Sequence, residues 1–227
     1  MLPILAALVI AVVPGERLEY SLRYGPINIG TLALQTLEPE TVGTDECWHF
    51  RADLELTRSF SWVFWANYRL ETWCRVSDMV TLRSYKRTRE PRYRAEWTAN
   101  YDTQRLTAAY ADGRRFYSFP TDSGARDLLS TWYYFRSLPL EPGDTVRTAM
   151  HVDRRNYQLV AVARAAKTVS TPAGVFDCIA VVPSAGGPLG TVYLSDDAER
   201  VPVSIRTRVG GLVVSAFLRS ITCEEEW

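Results

Sequence analysis

From residue 16 onward apolar and polar side chains alternate with a period of two, the pattern of half-buried strands. Leu18, Tyr20, Leu22 and Tyr24 share one face of a first strand, and Arg17, Glu19, Ser21 and Arg23 share the other. Gly25-Pro26 marks a turn, after which residues 29–35 return. Trp48, Phe50, Ala52, Leu54 and Leu56 form the next apolar face. Residues 68–76, 81–89, 93–101 and 106–111 continue as a meander, with turns at Ser77-Asp78, Glu90-Pro91 and Asp112-Gly113.

The period then changes. Leu128, Leu129, Trp132, Tyr133 and Phe135 follow helical spacing, with Asp122-Ser123 as the cap and Pro139 as the stop. Alternation resumes over 146–152, 157–168, 176–182, 190–194, 203–209 and 212–221. In Thr171-Pro172-Ala173-Gly174 the proline presets φ for a type I turn and the glycine accepts the left-handed conformation that follows. Residues 74–84 and 192–204 share a strand, Ser-Asp turn, strand pattern, a weak internal echo. No low-complexity linker separates the halves. The pattern predicts a leader at 1–15 and a single β-rich domain over 16–227, in two continuous halves about a helix at 124–137.

Residues 1–13 are apolar and uncharged, and Pro14-Gly15 follows. The run is too short to span a bilayer but has the length of a signal-peptide core, although it lacks a basic start. This predicts an exported, periplasmic chain with a mature start near Glu16; a buried N-terminal strand is the alternative. No later segment is apolar enough to cross a membrane. Export permits disulfides. If the hairpin turns at Phe60-Ser61, Cys47 and Cys74 face each other, whereas the polarity phase sets Cys47 with His49, Arg51 and Asp53, and Cys74 with Tyr68, Leu70 and Val76. A bulge would reconcile the two. Cys178 reads as a small core residue.

An apolar content of 47% suffices for one large core, and 27 aromatic residues favour strands. A formal net charge of zero leaves no field to draw nucleic acid. Of the basic residues 24 are Arg and 2 are Lys. His49 and His151 lack metal-ligand spacing, so no metal or other cofactor is expected. Gly-x-Ser-x-Gly and His-Glu-x-x-His motifs are absent. Asp196-Asp197 reads as a turn former rather than a catalytic pair. Two segments could bind something. Arg83, Lys86, Arg87, Arg89, Arg92 and Arg94 form a basic patch that reads either as a solvated rim or as a contact for phosphate groups of lipids. The segment 60–65, with Trp62, Phe64 and Trp65, is unusually apolar for a hairpin apex and reads either as core or as a ligand mouth.

The aromatic helix from Asp127, the Pro142-Gly143-Asp144 turn, Thr171-Pro172-Ala173-Gly174-Val175-Phe176-Asp177-Cys178 and Tyr193-Leu194-Ser195-Asp196-Asp197 before Pro202-Val203 stand in an ordered set. That set resembles a family of exported bacterial proteins, domain of unknown function 3108. The resemblance covers roughly residues 16–221 and implies a β-rich envelope protein with no catalytic motif. The meander, helix, meander order is also similar in architecture to the periplasmic lipoprotein carriers, in which a strongly curved antiparallel sheet forms an incomplete barrel and a helix plugs its concave side. By that analogy Leu128, Trp132 and Phe135, with Trp62, Phe64 and Trp65 at the mouth, would border a site for an apolar or amphipathic ligand such as a lipid. The alternative is a structural or assembly factor that docks another envelope protein through a closed, ligand-free core.

Overall fold

The computed structural model describes residues 12–56, 65–209 and 212–223. Its described residues form fourteen strands and one α-helix. The first meander comprises β1 (Glu16–Tyr24), β2 (Ile27–Val42), β3 (Asp45–Leu56), β4 (Asn67–Arg75), β5 (Thr81–Arg89), β6 (Arg94–Asp102), β7 (Thr107–Asp112) and β8 (Arg115–Pro120). After α1 (Leu128–Ser137) the second comprises β9 (Thr145–Val152), β10 (Arg155–Thr171), β11 (Gly174–Ala185), β12 (Thr191–Ser195), β13 (Pro202–Val209) and β14 (Leu212–Cys223). All fourteen lie in one antiparallel sheet, ordered β8 to β1 and then β14 to β9. The first and last strands pair with each other, so the two meanders fuse at β1–β14 and leave β8 and β9 as the edges. This is the meander, helix, meander order that the alternation predicts, in the curved, unclosed sheet that the likeness to the lipoprotein carriers implies.

One face of the sheet carries the core. Leu18, Leu34, Phe50, Met150, Leu159, Val181, Val192 and Leu218 are all buried in one core cluster with Leu129, Tyr133 and Phe135 of α1. The helix therefore fills the concave side. Phe50 and Tyr133 stack with ring centroids 3.6 Å apart. At Gly30 the neighbouring strand comes so close that a Cβ would lie 2.1 Å from the Glu55 carbonyl oxygen, so β2 and β3 need glycine there.

Three sequence expectations are corrected. The helix is capped by Asp127, not Asp122-Ser123: the Asp127 side chain accepts from the Ser130 amide, and the Ser130 side chain returns the bond, a capping box. The strand β8 was not predicted, because Arg115-Phe116-Tyr117-Ser118-Phe119 has aromatics on both faces and no period-two signal. The Cys47–Cys74 bridge does not form. Cys47 lies opposite Arg75 and Cys74 opposite Trp48, one step from the register that would pair them. One step in a strand moves a side chain to the other face. Cys74 enters the core beside Met79, whereas Cys47 is buried on the opposite face, its thiol against the Asp45 carbonyl. All four cysteines are free thiols. The hairpin apex at Phe60-Ser61 lies outside the described residues.

Candidate functional site

The edges of the sheet overlap instead of pairing. On β9 and β10, Met150 and Leu159 face the core, and His151 and Asn156 point the other way. That outward face meets the concave side of β6–β8. His151 lies 5.7 Å from the Tyr101 ring and 5.9 Å from the Tyr110 ring, centroid to centroid. At the β9–β10 turn, Asp153 and Arg154 both adopt positive φ, 47° and 68°. This conformation is uncommon for residues other than glycine, and tertiary contacts hold it here. Asp153 accepts from Lys86 at 2.6 Å, and the Arg154 guanidinium lies over Tyr110, Tyr117 and Phe119 at 5.1 to 5.6 Å. Asn156 donates to the Pro120 carbonyl, and Gln158 to Asp122.

The segment before the helix closes the seam from within. The Arg126 amide donates to the Ala149 carbonyl, its carbonyl accepts from His151, and the Ala125 carbonyl accepts from Thr81 on β5. The Arg126 guanidinium bonds Thr148 and the Asp78 carbonyl and lies 3.7 Å from the Tyr134 ring centroid. Asp127 is buried; burial pushes its carboxyl up in spite of hydrogen bonds from Thr72 and Ser130.

Inside this overlap is a cavity of about 160 Å³, walled by Leu70, Trp97, Tyr110, Leu128, His151 and Val152, with Lys86 and Asp153 also lining it. Of the six residues predicted to border a ligand, Leu128 lines this cavity. Trp132 and Phe135 pack with the core cluster, Phe135 fully buried. Trp65 lines a separate hollow with Asn67, Arg87, Arg89 and Arg94, and Trp62 and Phe64 lie outside the described residues. Strand alternation divides the basic patch. Arg83, Arg87, Arg89 and Arg94 share the convex face through the pairs Arg87↔Glu96 and Arg89↔Arg94, Lys86 turns to the concave face and Asp153, and Arg92 sits exposed in the turn.

His151 and Tyr110 were not singled out as site residues, because His151 falls in the polar phase of its strand and only the overlap buries it. His49 is likewise covered, on the convex face, between Glu40 at 2.9 Å and Glu71 at 3.0 Å and stacked on Trp73. Asp197 serves its turn: one carboxylate oxygen accepts from the Ser195 hydroxyl and from the amides of Glu199 and Arg200. Among the described residues, no group of three or more His, Cys, Asp or Glu is arranged to hold a metal ion. No described helix is long and apolar enough to cross a membrane.

The fold has solved counterparts. A β-barrel-like protein of domain of unknown function DUF1849 from Brucella abortus superposes with a TM-score of 0.58 at 8% identity, over 92% of this chain and 98% of that one. At such identity the likeness establishes the fold alone. A candidate exported protein with a YmcC-like fold from Bacteroides fragilis aligns at a TM-score of 0.32 and 14% identity, over 92% of this chain and 96% of that one, too distant to carry an argument. No curated protein matches the chain. A family model described as "protein of unknown function (DUF3108)" matches residues 19–216, from within β1 to within β14. The chain belongs to the DUF3108 family.

Proposed function

We propose that this is an exported, non-catalytic protein of the cell envelope that seats the apolar end of an amphipathic envelope component in the overlap cavity. The observation that carries this reading is the cavity itself, apolar along Leu70, Trp97, Leu128 and Val152 and placed where two sheet edges meet without a backbone ladder. Its size, about 160 Å³, matches engineered cavities of about 150 Å³ that hold benzene. Whole-ligand pockets run to roughly 300–1,000 Å³. The occupant is therefore a ring or the last few methylenes of a chain, rather than an entire acyl tail. The uncharged apolar run at 1–13 supports export.

A second reading is favoured by the packed seam under Leu129, Tyr133 and Phe135: an assembly factor that docks another envelope protein and takes no lipid. Native mass spectrometry of protein purified from its host distinguishes the two. The first reading expects a bound apolar adduct in the natural chain and none in Leu128→Trp, which fills the cavity at a cost of about 1–3 kcal/mol. Adduct-free natural protein favours the assembly factor. Fractionation that leaves the full-length chain in the cytosol removes the envelope from both.

A further inference from the structure

The zero formal net charge hides a segregation of charge along the strands. In the antiparallel order every hairpin from an odd-numbered strand to the next even-numbered one turns at one end of the sheet, and the reverse connections turn at the other. The first end carries Arg89, Arg92 and Arg94 about the β5–β6 turn, Arg114 and Arg115 at the β7–β8 turn and Arg155 at the β9–β10 turn. All six are exposed, and none has a carboxylate partner among the described residues. Residues 57–64 and 210–211, which join strands that end there, contain no Asp or Glu. The carboxylates in these turns and at their strand termini are Glu90, Asp112 and Asp153, and Tyr68 and Lys86 occupy Glu90 and Asp153.

The opposite end is acidic. Glu46, Glu141, Asp144, Asp196, Asp197 and Glu199 are exposed there, while Arg75 and Arg105 are drawn onto Asp45, Asp78 and Asp102. Exposed aromatic rings follow the basic end. Tyr24 stands beside Gly25, Tyr93 lies in the β5–β6 turn, and Phe116 and Tyr117 follow Arg115; Tyr93 is 56% exposed and Phe116 79%. The acidic end exposes the aliphatic Val13, Leu106, Val175 and Ile221, but no aromatic ring among the described residues. A field of this polarity orients the molecule before contact. Arginines are attracted to anionic headgroups, and aromatic rings settle at the headgroup level of a bilayer.

We propose that the basic end of the sheet docks on a membrane surface rich in anionic phospholipid. The arginines meet the phosphate groups, Tyr93 and Phe116 enter the interface, and the acidic end faces away. The inference does not require an occupied cavity. It sets the cavity beside the bilayer, because Val152, Asp153 and Pro188 of its wall belong to the same end.

Co-sedimentation of the full chain with vesicles of pure phosphatidylcholine, and of phosphatidylcholine mixed with phosphatidylglycerol, tests it. Binding is expected to the mixed vesicles only and weakens as salt is raised. Arg92→Ala with Arg114→Ala, at exposed sites without partners, should weaken it about 25-fold, or about fivefold for each arginine. Tyr93→Ser with Phe116→Ser should weaken it by at least about tenfold. Glu141→Gln with Asp196→Asn at the acidic end, and the filled cavity of Leu128→Trp, should each leave it within about twofold. Equal binding to both kinds of vesicle, which the apolar run 1–13 can give alone, overturns the inference, as does an effect of the acidic-end pair as large as that of the arginine pair. Loss of binding in Leu128→Trp overturns it by assigning the lipid contact to the cavity. A chain that ignores the mixed vesicles at low salt overturns it in favour of an acidic protein partner, and leaves the proposed occupant of the cavity untouched.

Discussion

Arg136 carries a full charge into the interior. Only 2% exposed, it forks onto both carboxylate oxygens of Glu16, and its Nε donates to the Glu199 carbonyl at 2.9 Å. Removing one partner of such a pair strands the other charge, whereas replacing both can be nearly neutral. Arg136→Met should therefore cost about 3–5 kcal/mol in urea unfolding, and the double variant with Glu16→Leu should regain most of it. Glu71 has a milder role on the convex face. Burial pushes its carboxyl up, but hydrogen bonding from His49 and the Arg51 guanidinium outweigh this and hold it below the ordinary glutamate range. A lowered folded value stabilises above the unfolded one and is lost as pH falls through it. Glu71→Gln should accordingly cost about 1 kcal/mol at pH 7, a cost that shrinks once the pH falls below the ordinary glutamate value and disappears only below the lowered folded one. Among the cysteines, burial raises the Cys47 thiol and holds the Cys74 thiol well above its usual range. A thiol reagent should label exposed Cys223 quickly and Cys47 and Cys74 only on unfolding; a linked 47–74 peptide under non-reducing conditions would contradict their placement on opposite faces.

The helix was expected to bury Leu128, Leu129, Trp132, Tyr133 and Phe135, and these side chains do pack with the core. The period could not show that Ser130, Thr131, Arg136 and Ser137 are buried too. A helix inside a curved sheet has walls on more than one side, so its polar positions are covered as well and must find partners. Thr131 bonds the Asp127 carbonyl, Ser137 the Tyr134 carbonyl and Ser130 the Thr81 hydroxyl. Phe135→Ala should cost about 3–5 kcal/mol, and Trp132→Ala, at a half-buried site, nearer 1–2 kcal/mol. Asp127→Ala removes the cap and strands the Thr72 hydroxyl, for about 2–3 kcal/mol by chemical denaturation.

At the scale of the whole molecule, no strand ladder among the described residues joins the β6–β8 wing to β9 and β10; side-chain contacts hold it there, with Asn156 on the Pro120 carbonyl. The wing has its own small cluster of Ala99, Ala108 and Tyr110, with Trp97, Tyr101 and Phe119 packed on it, apart from the main core. Its latch is the β9–β10 turn, where Asp153 reaches Lys86 and Arg154 covers three rings. Replacing Lys86 and Arg154 by Ala should loosen the wing while the core stays folded. Hydrogen exchange is expected to rise over 94–120 and to remain slow in β1, β2 and β14. A uniform rise across the sheet would mean that wing and core unfold as one unit.

The sequence by itself determined most of the strands, their apolar phase and the helix, because period two and period 3.6 are local consequences of which face meets the core. The same local phase set Cys47 and Cys74 on opposite faces, and it prevailed over hairpin arithmetic that depended on an assumed apex. Alternation also divides the basic run, sending Lys86 inward and Arg83, Arg87, Arg89 and Arg94 outward. What only the tertiary structure decided is how far the sheet curls. A local pattern marks His151 as outward but cannot register that another part of the same sheet lies over it. The candidate site, its buried Tyr110 and His151 and the strained Asp153-Arg154 turn all arise from that overlap, a contact between residues some forty positions apart that no periodicity encodes.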